Sequence, residues 1–148
     1  WLAGLCNAGP FWGVAGLLDL HSMPPIAPRG SSPPPSYVVG DRFGASCDSR
    51  LVAAISAYFE QHGRTSACNR PYAGGHVLER HGNPADGIHA VQLEIDRSVY
   101  LDSGLSRLGD GYPGVVRLLS GLVRHLAAEA TLLASENAGL QGWRDAAE

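Results

Sequence analysis

An apolar run near the head of the chain, Leu17-Leu18-Asp19-Leu20-His21-Ser22, ends abruptly in three polar residues. Buried strands of open α/β sheets are almost wholly apolar, and functional groups gather just beyond their carboxyl ends. A histidine delivered there, ahead of a loop holding Pro24, Pro25, Pro28, Pro33, Pro34 and Pro35, makes His21 a candidate metal ligand. A catalytic zinc takes three protein ligands and keeps a position open for water, so one histidine is not yet a site. The alternative is a hydrogen-bonded histidine at a strand end, with Asp19 two residues away on the same face to orient it.

Glu94 is the second candidate. It stands between Leu93 and Ile95, where an unpaired carboxylate is costly to bury. It is either paired, with Arg97 or Arg70, or it lines a cavity with a raised pKa that suits general-base work. Asn69-Arg70-Pro71-Tyr72 is the third. An arginine fork matches a carboxylate in two-point fashion, and Gly74-Gly75 would let backbone approach a ligand closely. The alternative is a surface turn with a solvated arginine. Asp41-Arg42 reads as an adjacent pair in a loop, exposed and worth little. His76-Val77-Leu78-Glu79 has the His-x-x-Glu spacing of a zinc pair, but Gly74, Gly75 and Gly82 around it favour a glycine-rich loop over a helix. No nucleophile elbow, P-loop or dinucleotide fingerprint occurs, and Ser22 points away from its neighbour His21 on extended chain.

These residues need elements to hold them. Val14 to Leu20 reads as a short buried strand, weakened by Gly13 and Gly16, and Tyr37 to Gly40 as a second. Asp48 is placed to cap a helix with Leu51, Val52, Ile55, Tyr58 and Phe59 on one face, which Gly63 stops. Thr65 to Cys68 is a short extended segment, and Gly82 to Gly87 a turn. Ile88 to Asp96 alternates His89, Val91, Leu93 and Ile95 against Ala90, Gln92, Glu94 and Asp96, a strand with one polar-bearing face. Pro113 opens a last helix whose stripe runs from Val115 to Leu126, with Ala127 to Leu133 as a continuation and a frayed polar tail from Ser135. Trp1 to Trp12 reads as a helix tail or an irregular connection. Strands alternating with helices define an α/β class with a substantially parallel sheet.

The composition agrees. The 148 residues suit one domain with a real core, and 45% hydrophobic with 17% charged content fits a globular chain. A net charge of -3 with no basic stripe predicts no nucleic-acid partner. No apolar run reaches the ~20 residues of a membrane span. Three spaced cysteines argue against a disulfide framework and for a cytoplasmic location.

The order of the blocks is more specific than any one of them. Asp19-Leu20-His21-Ser22-Met23-Pro24, Gly40-Asp41-Arg42-Phe43-Gly44 with Ser46-Cys47, Asn69-Arg70-Pro71-Tyr72-Ala73-Gly74-Gly75, then Gly87 to Arg97 with Tyr100-Leu101-Asp102 together resemble the N-formylglutamate amidohydrolase family. That family is similar in fold to the zinc carboxypeptidases and aspartoacylases. The resemblance implies a mixed, mostly parallel twisted sheet with flanking helices, and a zinc-dependent (or other divalent-metal-dependent) amidohydrolase. Its substrate would be N-formyl-L-glutamate or a similar anionic N-acyl amino acid, cleaved late in histidine breakdown. It implies His21 as metal ligand and Glu94 as general base. Arg70, with Asn69, and Arg42 would be substrate clamps, and Tyr72 and His89 would line the pocket.

The other two metal ligands of that family are expected well before the Asp-Leu-His-Ser block, and no His or Glu precedes His21 here. Residues 1–148 are therefore expected to be one domain, the carboxy-terminal portion of such an enzyme, exposing a sheet edge prone to self-association. Two alternatives stand beside the enzyme reading. One is a truncated, inactive remnant that at most binds an acidic small molecule. The other is a self-contained metal site from His76, Glu79 and His89.

Overall fold

The most deeply buried of the long strands forms the centre of the sheet. In a computed structural model describing residues 2–3, 13–28, 31 and 33–145, β5 (Ile88–Asp96) has eight of its nine residues buried. On one side it pairs with β2 (Ala15–Met23) over nine parallel register pairs. On the other it pairs with β3 (Tyr37–Gly40) over four antiparallel ones. β3 is followed outward by β4 (Ser66–Cys68), three parallel pairs, and β2 by β1 (Leu2–Ala3), two antiparallel pairs. The order is β1-β2-β5-β3-β4. The sheet is thus mixed and, by paired length, mostly parallel, flanked by helices, in agreement with the α/β expectation.

Among the described residues three α-helices complete the layers: α1 (Ser49–Gln61), α2 (His76–His81) and α3 (Tyr112–Asp145). Asp48 caps α1 as its sequence position predicts, its carboxylate accepting from the Arg50 amide at 2.8 Å. Gly63 follows the helix at φ +64°, the left-handed conformation a stop requires. The main core lies between α1, α3 and one face of the sheet, where Leu18, Val39, Val91, Leu93 and Ile95 meet Leu51, Ile55, Phe59, Leu118 and Leu122. Tyr37 stacks on Phe59 with ring centres 4.4 Å apart. Full burial of Ile55, Leu93 or Leu122 contributes about 1.5–3 kcal/mol each. On the opposite face Leu78 of α2 packs on Leu17 and Ala90.

Three expectations are corrected. β2 runs past Leu20 to Met23, because β5 offers a register partner as far as Asp96; His21 is inside the strand rather than beyond it. His76 to His81 is a helix, anchored by the buried Leu78, and not a glycine-rich loop. α3 does not fray at Ser135. Its helix continues to Asp145, with Leu133 in the core and Glu136 paired to Arg50 at 2.5 Å. Of the Trp1 to Trp12 stretch, Leu2 and Ala3 form β1 and the rest lies outside the described residues.

Candidate active site

Register assembles the site. Side chains of paired residues on neighbouring strands share a face, and β2 and β5 pair Asp19 with Gln92 and His21 with Glu94. β3 adds Gly40 beside Gln92 and Val38 beside Glu94. This row lies on the face opposite the α1–α3 core. Leu78 of α2 covers its first step. The second step is crossed by the loop after Arg70: a Cβ on Gly40 would lie 2.7 Å from the Ala73 carbonyl carbon and the Gly74 nitrogen. Only glycine permits that crossing. Glu94 and His21 form the next register pair on this face.

His21 is half-exposed, its Nε2 2.9 Å from the Asp19 carboxylate. Glu94 is buried, and its Oε1 accepts from Gln92 Nε2 at 2.9 Å. Burial pushes the Glu94 carboxyl above the usual range. His21 opposes the rise, the Asp19 charge adds to it, and Gln92 and Arg97 pull it back. A raised carboxyl takes up and returns a proton closer to neutral pH. Of the two sequence alternatives for Glu94, the arginine pairing is not found among the described residues: its hydrogen-bond partner is Gln92.

The rim is built from two loops stitched together. Asn69 Oδ1 accepts from the backbone amides of Asp41 (3.0 Å) and Phe43 (3.3 Å), while its Nδ2 donates to the Asp41 carboxylate at 2.6 Å. The Arg42 amide donates to the Ala73 carbonyl at 2.8 Å. Arg42, Phe43 and Asn69 all hold φ between +54° and +60°, conformations that cost free energy outside glycine and collect at functional sites. Arg42 reaches Glu79 of α2 at 3.4 Å, an exposed contact of little energetic weight. Arg70 and Tyr72 are exposed, and Arg70 joins no ion pair among the described residues.

The structure pairs His21 with Glu94 across β2 and β5, and the loops that carry Arg42, Arg70 and Tyr72 meet over Gly40, the β3 neighbour of Gln92. It does not bring His89 to this face. Strand alternation turns His89 to the α1 face, where its Nδ1 accepts from the Asp48 amide at 3.2 Å and its Nε2 is buried without a partner. The expectation that His89 lines the same pocket is corrected on that ground. Asn69 holds the neighbouring loop through its Oδ1 and one Nδ2 hydrogen. Asp41, read as exposed, is buried. The set His76, Glu79 and His89 does not form: among the described residues no three His, Cys, Asp or Glu side chains are grouped to hold a metal. Sequence reasoning passed over Gln92, although its two-residue spacing from Glu94 already placed both on one face.

Layers and strand order define a mixed α/β sheet protein with its polar row on one partly covered face. A profile of the N-formylglutamate amidohydrolase family matches residues 4–101, and the chain belongs to that family. The N-formylglutamate deformylase of Pseudomonas aeruginosa is 34% identical over 93 residues, 62% of this chain and 35% of that protein. The Pseudomonas putida protein of the same name is 36% identical over 93 residues, with the same coverage. The chain thus spans about a third of the length of these curated relatives. Among solved structures, N-formylglutamate amidohydrolase from Ralstonia eutropha JMP134 superposes with a TM-score of 0.62 at 29% identity, over 84% of this chain and 44% of that one. The gene product Atu2144 of Agrobacterium tumefaciens shares the fold, with a TM-score of 0.51 at 22% identity over 77% of this chain and 43% of that one.

Proposed function

We propose that the protein hydrolyses the amide of N-formyl-L-glutamate, or of a similar N-acyl amino acid, to release formate and the amino acid. The observation that carries this reading is the pairing of His21 with Glu94 across β2 and β5, with the Glu94 carboxyl raised by burial. Glu94 takes a proton from the attacking water and returns it to the departing nitrogen, a role worth roughly 10²–10⁴-fold in rate. Arg70 and Arg42 supply forks for the substrate carboxylates, and Tyr72 walls the pocket. On this reading the reaction belongs to histidine breakdown in the cytoplasm; no described helix is long and apolar enough to cross a membrane.

Zinc, or another divalent metal, is part of the reading through His21. The described residues bring His21 to this point with Asp19 already hydrogen-bonded to it, short of the three protein ligands a catalytic zinc takes. They do not make a complete metal site, and His21 is proposed as a single donor. A second reading, binding of an acidic small molecule without catalysis, is favoured by the exposed Arg70, which has no acidic partner among the described residues. The test is formate release from N-formyl-L-glutamate. The enzyme reading expects turnover that falls at least 10²-fold in Glu94→Gln and in His21→Ala. Turnover unchanged in both variants overturns the site, and binding without turnover selects the second reading.

A further inference from the structure

The reading of Glu94 as the proton-carrying carboxylate leaves open what holds that carboxylate in place, and a second buried polar side chain answers it. Gln92 sits two residues before Glu94 on the same face of β5, and both are 8% exposed. Gln92 Nε2 donates to Glu94 Oε1 at 2.9 Å. Among the described residues Gln92 is the side-chain donor found on Glu94, and it reaches Oε1. Oε1 is thereby tied down, and Oε2 is the oxygen left for other donors. The neighbours of Gln92 explain why its amide stays put: Asp19 flanks it on β2, and on β3 the side-chain-free Gly40 lies beneath the Ala73–Gly74 crossing.

We propose that Gln92 is a positioning residue, which holds Glu94 by one carboxylate oxygen and leaves the other as the single acceptor presented to water and substrate. An amide suits this task because an ionised carboxylate only accepts hydrogen bonds, and Nε2 supplies a neutral donor of fixed direction. A lysine or arginine in its place would also donate, but would neutralise the charge that makes Glu94 a base. A methionine matches the length of Gln92 and lacks the donor. The inference rests on the proposed hydrolysis only for its kinetic consequence; the contact itself is measurable without turnover.

Two measurements on the full chain test it. In NMR spectra the Gln92 side-chain amide protons should exchange with water at least tenfold more slowly than those of exposed Gln61, and should lose that protection in Glu94→Ala. In turnover of N-formyl-L-glutamate, Gln92→Met should lower kcat roughly ten- to a hundredfold, the range of one hydrogen bond to a charged group, with KM unchanged. Gln92→Asn, too short to reach Oε1, should fall with it. A Gln92 amide that exchanges freely, or is indifferent to Glu94→Ala, overturns the proposal. So does a Gln92→Met or Gln92→Asn enzyme with the wild-type kcat, or one whose loss lies wholly in KM. A wild-type protein without turnover overturns the hydrolytic reading alone, and the exchange measurement still decides the role of Gln92.

Discussion

Replacing Gly40 by alanine is the sharpest perturbation available to the rim of the site. The added Cβ would lie 2.7 Å from the Ala73 carbonyl carbon, 2.7 Å from the Gly74 nitrogen and 2.9 Å from the Ala73 oxygen. All three are backbone atoms, so no side chain can rotate away. Non-bonded carbons prefer separations of about 3.5–4.0 Å, and the crossing loop must retreat by about 1 Å to restore them. Overpacking of this kind costs about 1–3 kcal/mol. The retreat also stretches the 2.8 Å hydrogen bond from the Arg42 amide to Ala73, worth about 0.5–1.5 kcal/mol. The two together come to roughly 2–4 kcal/mol. At about 2–4 °C per kcal/mol for a chain of this size, the melting midpoint should fall by roughly 5–15 °C. Gly16→Ala is the matched control. It lies in β2, where a new Cβ meets nothing within 4 Å, and should be neutral or stabilising by up to about 1 kcal/mol. Thermal and urea melts followed by far-ultraviolet circular dichroism read both. Equal midpoints for Gly40→Ala and wild type, or an equal fall in Gly16→Ala, would refute the reasoning.

Three further outcomes follow from the same geometry. Because burial raises the Glu94 carboxyl above 4.5 in the folded chain, its contribution to stability is full below pH 4.5 and is lost as pH rises through the folded value. Glu94→Gln should therefore be more stable than wild type near pH 7, by about 1.4 kcal/mol for each pH unit of that rise, and lose the advantage below pH 4.5 in urea melts. His89 behaves in the opposite sense: burial, reinforced by Arg50 and opposed by Asp48, lowers it from 6.5. Wild-type stability should then fall as pH drops from 6.5 through the lower folded value, and His89→Gln, whose amide can still accept from Asp48, should flatten that fall in urea midpoints between pH 7.5 and 5. Asn69→Ala strands the Asp41 amide, the Phe43 amide and the buried Asp41 carboxylate. It should cost about 2–4 kcal/mol, with amide exchange at Asp41 and Phe43 accelerated by mass spectrometry or NMR.

What the sequence revealed depended on how local each cause was. β3 and β5 were read to the residue, since Gly87 marks the start of β5 with a left-handed turn and Asp96 ends it by capping the turn that follows. The head of α1 was legible because its cap is a bond between Asp48 and Arg50, two positions apart. α2 was not, because its glycine-rich surroundings favour a loop and what stabilises it is Leu78 packing on Leu17 and Ala90, far away in sequence. The end of β2 likewise depends on β5, more than sixty residues on. For the site, the pattern of β5 already set His89 opposite Glu94. The family resemblance drew His89 into the pocket, and strand alternation removes it. Asn69 shows the converse limit: its residue type suits a substrate clamp, and only the fold shows that its amide holds Asp41 and Phe43.

An anionic N-acyl amino acid is proposed to bind on the α2-side face between His21, Glu94 and Arg70. Titration of N-formyl-L-glutamate into the isotope-labelled chain, followed by NMR, tests it most directly. The account predicts saturable shifts at His21, Glu94, Arg70 and Tyr72, abolished in Arg70→Ala, with the Asp48–His89 pair on the opposite face unmoved. Shifts centred on Asp48 and His89, or saturable binding unaffected by Arg70→Ala, would contradict it.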